Sequence, residues 1–307
     1  IWVNNADSAN ENNICDIEDD GMLSRPKSAI DSLGNIVVTG TYDCSSLDFD
    51  EIQLLNTNDK AVFVAKINTD GEWQWAKRAD GVGREKGTSI DIDINGDIYV
   101  SGHFEGDIKI GEKNMISSDG FDVFLAKFDS NGKIIWATKG GGSGNDYAQN
   151  VIVSSSMKIY VIGQYRGTTT FGGSSLTNGG LHSTNLGDSF IFSLDGNVGV
   201  NNEYTYNLPI TKIGSSVAVL TKSIAVDVDG NALVIGTFQG PTTFGNILLS
   251  TSTNGLDVST FVAKLSKNGE WMWAIQVGDT SEGEDIKVDT SGDIYITGRF
   301  KGSFASF

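Results

Sequence analysis

A glycine that closes an apolar, β-rich run recurs at Gly40, Gly102, Gly163, Gly236 and Gly298, at intervals of 62, 61, 73 and 62 residues. The chain is one unit copied five times. Self-similarity at a fixed period belongs to solenoids, arrays and propellers, whose units cannot bury their apolar faces alone and must stack on their neighbours. At 307 residues the repeat argues for one ring spanning 1–307 rather than for two unrelated domains.

The second copy shows how a unit is built. Ile90, Ile92 and Ile94 alternate with Asp91 and Asp93, and the turn Asn95-Gly96-Asp97 leads into Ile98-Tyr99-Val100-Ser101-Gly102. This is a period-two strand followed by a tight hairpin, with glycine in the slot that requires a left-handed backbone. The turn recurs at Leu33-Gly34-Asn35, Asp229-Gly230-Asn231 and Ser291-Gly292-Asp293, and in second halves at Asp70-Gly71, Asn131-Gly132 and Asn268-Gly269. Each second half carries Phe63-Val64-Ala65-Lys66, Phe124-Leu125-Ala126-Lys127 or Phe261-Val262-Ala263-Lys264, then a Trp at Trp75, Trp136 or Trp273. Four strands make one unit. Their near-continuous apolar runs suit sheets covered on both faces, and small radial sheets leave only short edges to protect.

The expected fold is therefore all-β, a β-propeller of four-stranded blades with about five blades visible, a part of a larger ring. Repeat units are read at 27–80, 87–142, 147–206 and 222–280, with half a unit at 284–307. Residues 1–7 align with Trp75 to Asp80, so they read as the last strand of a blade. The fifth blade then lacks a third strand, which either further chain or another molecule supplies by strand addition. The third copy departs from the pattern: Ser154-Ser155-Ser156-Met157 replaces the glycine turn, Phe190-Ile191-Phe192-Ser193 replaces Phe-x-Ala-Lys, and no Trp follows. Segments 8–26, 167–187 and 208–221 read as loop insertions sharing one rim.

Units such as Gly96-Asp97-Ile98-Tyr99-Val100-Ser101-Gly102, then Phe-x-Ala-Lys, then Asp70-Gly71 ahead of Trp75-Ala76, resemble the seven-bladed β-propeller (SBBP) repeat of bacterial and archaeal secreted and surface proteins. The resemblance spans residues 27 to 307. It implies a seven-blade ring and a secreted or cell-surface location, and it brings no catalytic residues with it. The Asp box of sialidase-type propellers differs, because Asp70 and Gly71 are adjacent here.

Composition narrows the partners. Only 22 Lys and Arg oppose 39 Asp and Glu, a net charge of −17, which disfavours nucleic acid. No run approaches the ~20 apolar residues of a membrane-spanning helix, so membrane insertion is not expected.

Candidate sites follow from the repeat. Asp91, Asp93, Asn95 and Asp97 match the first half of a calcium loop, but position twelve is Gly102 rather than Glu, and the hairpin explains the same residues. No other cofactor is expected. Asp31, Asp93, Ser154, Asp227 and Asp289 fall at equivalent turns; four of the five are carboxylates that form either a ring or a set of local turn caps. Thr41, His103, Gln164, Thr237 and Arg299 follow the repeat glycines, polar every time and different every time, as a binding rim or as solvated strand ends. His182 has no acid or nucleophile at a spacing that makes a dyad. Cys15 and Cys44 fall in neighbouring loops of one blade, which makes a disulfide reasonable in an oxidising compartment and leaves two inert thiols in a reducing one.

The leading functional expectation is a non-catalytic binding or structural module of a secreted or surface protein, engaging a protein or glycan through the loop-rich rim or an open blade edge. Two rivals stand beside it: a propeller enzyme acting on glycans as a lyase or hydrolase, and a filament or surface-layer subunit whose open fifth blade self-assembles by strand exchange.

Overall fold

A computed structural model describes residues 26–56, 60–178, 187–196, 210–215, 217–251, 258–278 and 280–300. The strand expected at 1–7, Cys15, His182 and residues 301–307 lie outside them. The chain divides into two compact units, Ile1–Gly140 and Gly141–Phe307. The described residues are all-β, in antiparallel sheets compatible with part of a propeller.

The first unit holds two such sheets. Lys27–Ile30, Ile36–Tyr42, Ala61–Ile67 and Trp73–Arg78 pair in chain order as the first. Glu85–Ile92, Ile98–Ile110, Lys113–Phe128 and Ile134–Gly142 pair in order as the second. Apolar side chains of both faces interlock: Val37, Val62 and Val64 of the first sheet pack with Ile98, Val100, Phe104 and Phe124 of the second. The second unit repeats the plan. Tyr147–Val153, Lys158–Tyr165, Asp188–Asp195 and Ile210–Ser215 form the third sheet, and Ala218–Val226, Ala232–Gln239, Val258–Leu265 and Trp271–Val277 the fourth. Ser281–Val288 and Ile294–Phe300 form a fifth, two-stranded sheet, which lays Ile286, Val288 and Ile296 on Leu233, Ile235 and Val262 of the fourth.

The recurring glycine now has a cause. Gly40, Gly102, Gly163 and Gly236 stand opposite Phe63, Phe124, Phe190 and Phe261 on the next strand. Each Phe ring lies across its glycine so closely that an added Cβ would come within 2.9, 2.5, 2.4 and 2.7 Å of it. Close approach, not an unusual φ, fixes these positions. A second regularity is a register slip in the first strand at Gly87/Ser89, Ala148/Asn150, Thr221/Ser223 and Gly283/Asp285, a bulge that recurs from sheet to sheet.

Two features depart from the expected strand plan. Between its second and third strands every four-stranded sheet carries an additional hairpin: Ser46–Phe49 with Ile52–Leu55, Thr168–Phe171 with Ser174–Thr177, and Thr242–Phe244 with Ile247–Leu249. In the second sheet the same hairpin extends the main strands, with Lys113 opposite Ile110. The turns use a left-handed residue at Asp50, Gly111, Gly172 or Gly245. Phe49, Phe171 and Phe244 bring their rings 5.5, 4.7 and 4.9 Å from the repeat Phe, so the hairpin closes the end of the sheet's core. Segment 167–187 thus contains a regular part of the unit. Segment 208–221, expected as a loop, instead supplies the third sheet's fourth strand Ile210–Ser215, which also pairs with Thr242–Phe244, and the start of the next sheet.

Candidate functional site

The sequence columns meet the structure first at the turn between strands one and two. Asp31, Asp93, Asp227 and Asp289 each accept, on Oδ1, the amide N–H groups two and four residues on: Leu33 and Asn35, Asn95 and Asp97, Asp229 and Asn231, Ser291 and Asp293. Ser154 does the same with one bond, from Lys158 N to its Oγ. These are local caps, each satisfied within its own turn.

Their second oxygens reach the Lys of Phe-x-Ala-Lys. Lys66 Nζ lies 2.9 Å from Asp31, Lys264 Nζ lies 2.8 Å from Asp227, and Lys127 Nζ lies 2.8 Å from Asp97 and 3.8 Å from Asp93. Tyr99 OH donates to Asp93 Oδ2 at 3.0 Å, and the Lys127 ammonium sits 5.0 Å over the Tyr99 ring. Burial by itself would raise the Asp31 carboxyl, but the bonds from Asn35, Lys66 and the Leu33 and Asn35 amides outweigh it and hold it at about 2. Burial likewise opposes, and bonds from Lys264 and Asn231 overcome, to keep Asp227 low. In the third sheet the Asp is Ser154 and the Lys is Ser193. Both halves of the pair are absent together, as a structural ion pair requires, since a lone buried charge is costly.

The calcium quartet divides accordingly. Asp93 and Asp97 are turned onto Lys127, while Asp91 stands on a strand opposite Tyr99. Among the described residues no group of three or more His, Cys, Asp or Glu is placed to hold a metal.

At the other end of the sheets the rim residues occupy varied surroundings. Thr41 and Gln164 are half-buried, and Thr41 Oγ1 accepts from Gly87 N at 3.3 Å. His103 and Thr237 are buried, the His103 ring edge-on to Phe121 at 5.4 Å. Arg299 is the one of the five whose side chain stands largely in solvent, donating through Nε and Nη2 to Glu282 Oε2 at 3.0 and 2.6 Å. Cys44 is buried among Tyr42, Leu47 and Phe49, and its expected partner Cys15 lies outside the described residues.

Sequence reasoning missed a second set of charges at this end. Asp122, fully buried, binds Lys139 at 2.9 Å, and Asp188 binds Lys212 at 2.6 Å. The fourth sheet exchanges the pair for Ser259 and Gln276, bonded at 3.2 Å. The available signal was an Asp two residues before the repeat Phe, present in two copies; in the first sheet that position is Ala61, and the cation at the partner position, Arg78, pairs with Asp80 instead.

Sheets also dock on their neighbours' turns. Trp75 Nε1 donates to Ser130 O at 3.2 Å and its ring covers Gly132, whose missing Cβ would meet it at 2.7 Å. In the second unit Tyr160 OH donates to Gly230 O at 2.7 Å, and Lys158 Nζ donates to Lys267 O. Burial first, then the charge of Asp227, pushes the Tyr160 hydroxyl up to about 12.

The fifth sheet differs from the rest. Among the described residues no third strand pairs with Ile294–Phe300, and Tyr295 and Phe300 are 59% and 54% exposed, whereas their counterparts Tyr99 and Phe104 are fully buried. A groove of about 380 Å³ opens between the fourth and fifth sheets, lined by Ile235, Thr260, Val277, Gly283, Ile296 and Phe300. The matching space between the first and second sheets, beside Val62, Ala79 and Val100, is filled by Phe124 to about 10 Å³.

No family model matches the chain. An uncharacterized WD repeat-containing protein of Acanthamoeba polyphaga mimivirus is 27% identical over 157 residues, 45% of this chain and 11% of its own length. The regulatory protein FlaEY of Caulobacter vibrioides is 31% identical over 138 residues, 43% of this chain and 14% of its own. The chain thus spans a small fraction of these relatives. A crystal structure of a Bacteroides caccae protein of unknown function covers 87% of the chain at a TM-score of 0.30 and 9% identity, too slight a likeness to assign a fold. The name of the first of these relatives agrees with a repeat protein.

Proposed function

We propose that this chain is a propeller-type interaction module, non-catalytic, belonging to a secreted or cell-surface protein and binding a protein or glycan partner. The observation that carries the reading is the recurrence of one antiparallel sheet along the chain, the plan of repeat proteins whose stacked units present binding surfaces. The name of the WD repeat relative, the residues shared with SBBP repeats and the acidic composition support the same reading. Its test is binding of the purified chain to a glycan array and to a panel of envelope proteins. Saturable binding to one of them supports the reading. Absence of any ligand removes it.

A further inference from the structure

Three of the hairpin turns pair an asparagine with a following glycine: Asn95-Gly96, Asn131-Gly132 and Asn268-Gly269. In each the glycine has a left-handed backbone, and its N–H donates to the carbonyl oxygen three residues before it, of Asp93, Asp129 or Ser266, at 3.0, 3.0 and 2.9 Å. Glycine has no Cβ to keep its nitrogen from the asparagine side chain, so the pair can close on itself whenever the turn opens. How often it opens is set by what holds it, and the three turns are held differently.

Asp93 Oδ1 accepts the N–H of Asn95 at 2.8 Å and of Asp97 at 3.0 Å, and Asp129 Oδ1 accepts those of Asn131 and Lys133, both at 2.9 Å. The Trp75 ring also covers Gly132, with its Nε1 bonded to Ser130 O. The third turn has Ser266 where the others have Asp, and its Oγ accepts one N–H, that of Glu270, at 3.1 Å. The sheet before it supplies no Trp to cover it, since the sequence has none between Trp136 and Trp271, and reaches it through Lys158, which donates to Lys267 O. Lys267 is held again through its own N–H by Asn231 Oδ1 at 3.1 Å. Asn268 itself makes no hydrogen bond among the described residues, and it stands exposed. The turn is thus fixed at residue 267 and loose at the two residues that react.

We infer that Asn268 is a site of spontaneous covalent modification, deamidating in the folded chain ahead of Asn95 and Asn131. The deprotonated Gly269 nitrogen attacks Asn268 Cγ; a bond forms between them as the Cγ–Nδ2 bond breaks, Nδ2 leaves as ammonia, and a cyclic succinimide results. Water then opens the ring at either carbonyl. Cleavage of the new N–Cγ bond gives aspartate. Cleavage of the original peptide bond gives isoaspartate, in which the main chain runs through Cγ and is longer by a methylene. Water is the sole co-reactant. Either product adds a negative charge, and isoaspartate also stretches the turn that leads into Trp271–Val277, where the Trp271 ring packs edge-on to Phe244 at 5.1 Å.

The test holds the whole folded chain in warm, mildly alkaline buffer, beside the same chain unfolded in urea, and follows each site by tryptic peptide mapping with mass spectrometry. In the folded chain Asn268 is expected to deamidate about tenfold faster than Asn95 or Asn131, the factor that one bond to a charged group makes in an opening equilibrium. In urea the three should react at similar rates. Asn178-Gly179 and Asn254-Gly255, which include residues outside the described ones, fall in other tryptic peptides and are read separately. The aged peptide that begins at residue 268 should accept a labelled methyl group from S-adenosylmethionine through an isoaspartyl methyltransferase. S266D, which supplies the carboxylate of the other two turns, should slow Asn268 several-fold; if that variant does not fold, the rates in the unaltered chain decide. Reaction at Asn268 no faster than at Asn95 or Asn131, the same ordering of the three sites in urea, a product that accepts no methyl group, or a folded S266D chain that reacts as the parent does would overturn the proposal.

Discussion

Replacing Gly102 with Ala isolates the contact on which each sheet is built. A Cβ there would lie 2.5 Å from two atoms of the Phe124 ring and 2.0 Å from the carbonyl oxygen of Lys86, whereas carbon contacts are comfortable at ~3.5–4.0 Å. The ring cannot simply withdraw, because Phe124 is 1% exposed and leans on Phe104 with centroids 6.5 Å apart. Inserting one methyl into a packed site costs roughly 1–3 kcal/mol. With two obstacles, one of them backbone, Gly102→Ala should lie at the top of that range, about 3 kcal/mol. Gly96→Ala is the control: its φ of +84° imposes about 1 kcal/mol of left-handed strain, but its nearest neighbour is Ser130 Cβ at 3.7 Å. Urea unfolding followed by tryptophan fluorescence, with the slope of the transition unchanged, measures both. Adding Phe124→Leu to Gly102→Ala should restore part of the loss and not all, because the Lys86 carbonyl remains. A loss for Gly102→Ala no larger than that for Gly96→Ala would refute the close-approach explanation of the repeat.

Three further outcomes are expected. Lys127→Met strips the cation from Asp93 and Asp97, and because Asp93 keeps two amides and Tyr99, chemical denaturation should show a loss of about 2 kcal/mol, below the usual ~3–5 kcal/mol for a broken buried pair. Asp31 sits near 2 when folded against 3.8 in the unfolded chain, so its ionised form stabilises the fold in full above pH 3.8 and loses that contribution as pH falls through 2. Asp31→Asn should therefore be less stable than the parent at neutral pH, the gap closing across that window in an acid titration. Trp75→Phe removes the hydrogen bond to Ser130 O and should cost about 1 kcal/mol in thermal unfolding, while Gly132→Ala, which pushes on the ring itself, should cost more.

The strands of the repeat were legible because their signals are local. Asn95-Gly96, Asp229-Gly230 and Ser291-Gly292 mark turns that need a left-handed residue, and the runs on either side can only be strands. The hairpin between the second and third strands escaped because its four copies share little beyond one large apolar residue and a left-handed turn: Phe49-Asp50, Ile110-Gly111, Phe171-Gly172 and Phe244-Gly245. Ile210–Ser215 escaped because its strand lacks the Trp that announces the others. At the candidate sites, the Asp caps were readable from turn chemistry, whereas the Lys pairing was not, since Asp31 and Lys66 meet only after a whole intervening strand and hairpin have folded back. The rim column looked uniform in sequence because every member is polar. Burial separates it, His103 and Thr237 lying within the sheets and Arg299 outside.

The ¹³C-glycine spectrum of the unliganded chain bears most directly on the whole scheme, since a proton beneath an aromatic ring is displaced upfield. Gly40, Gly102, Gly163 and Gly236 should each show that displacement, and Gly298 should resonate at an ordinary position. A displaced Gly298, or unshifted protons at the other four, would contradict it.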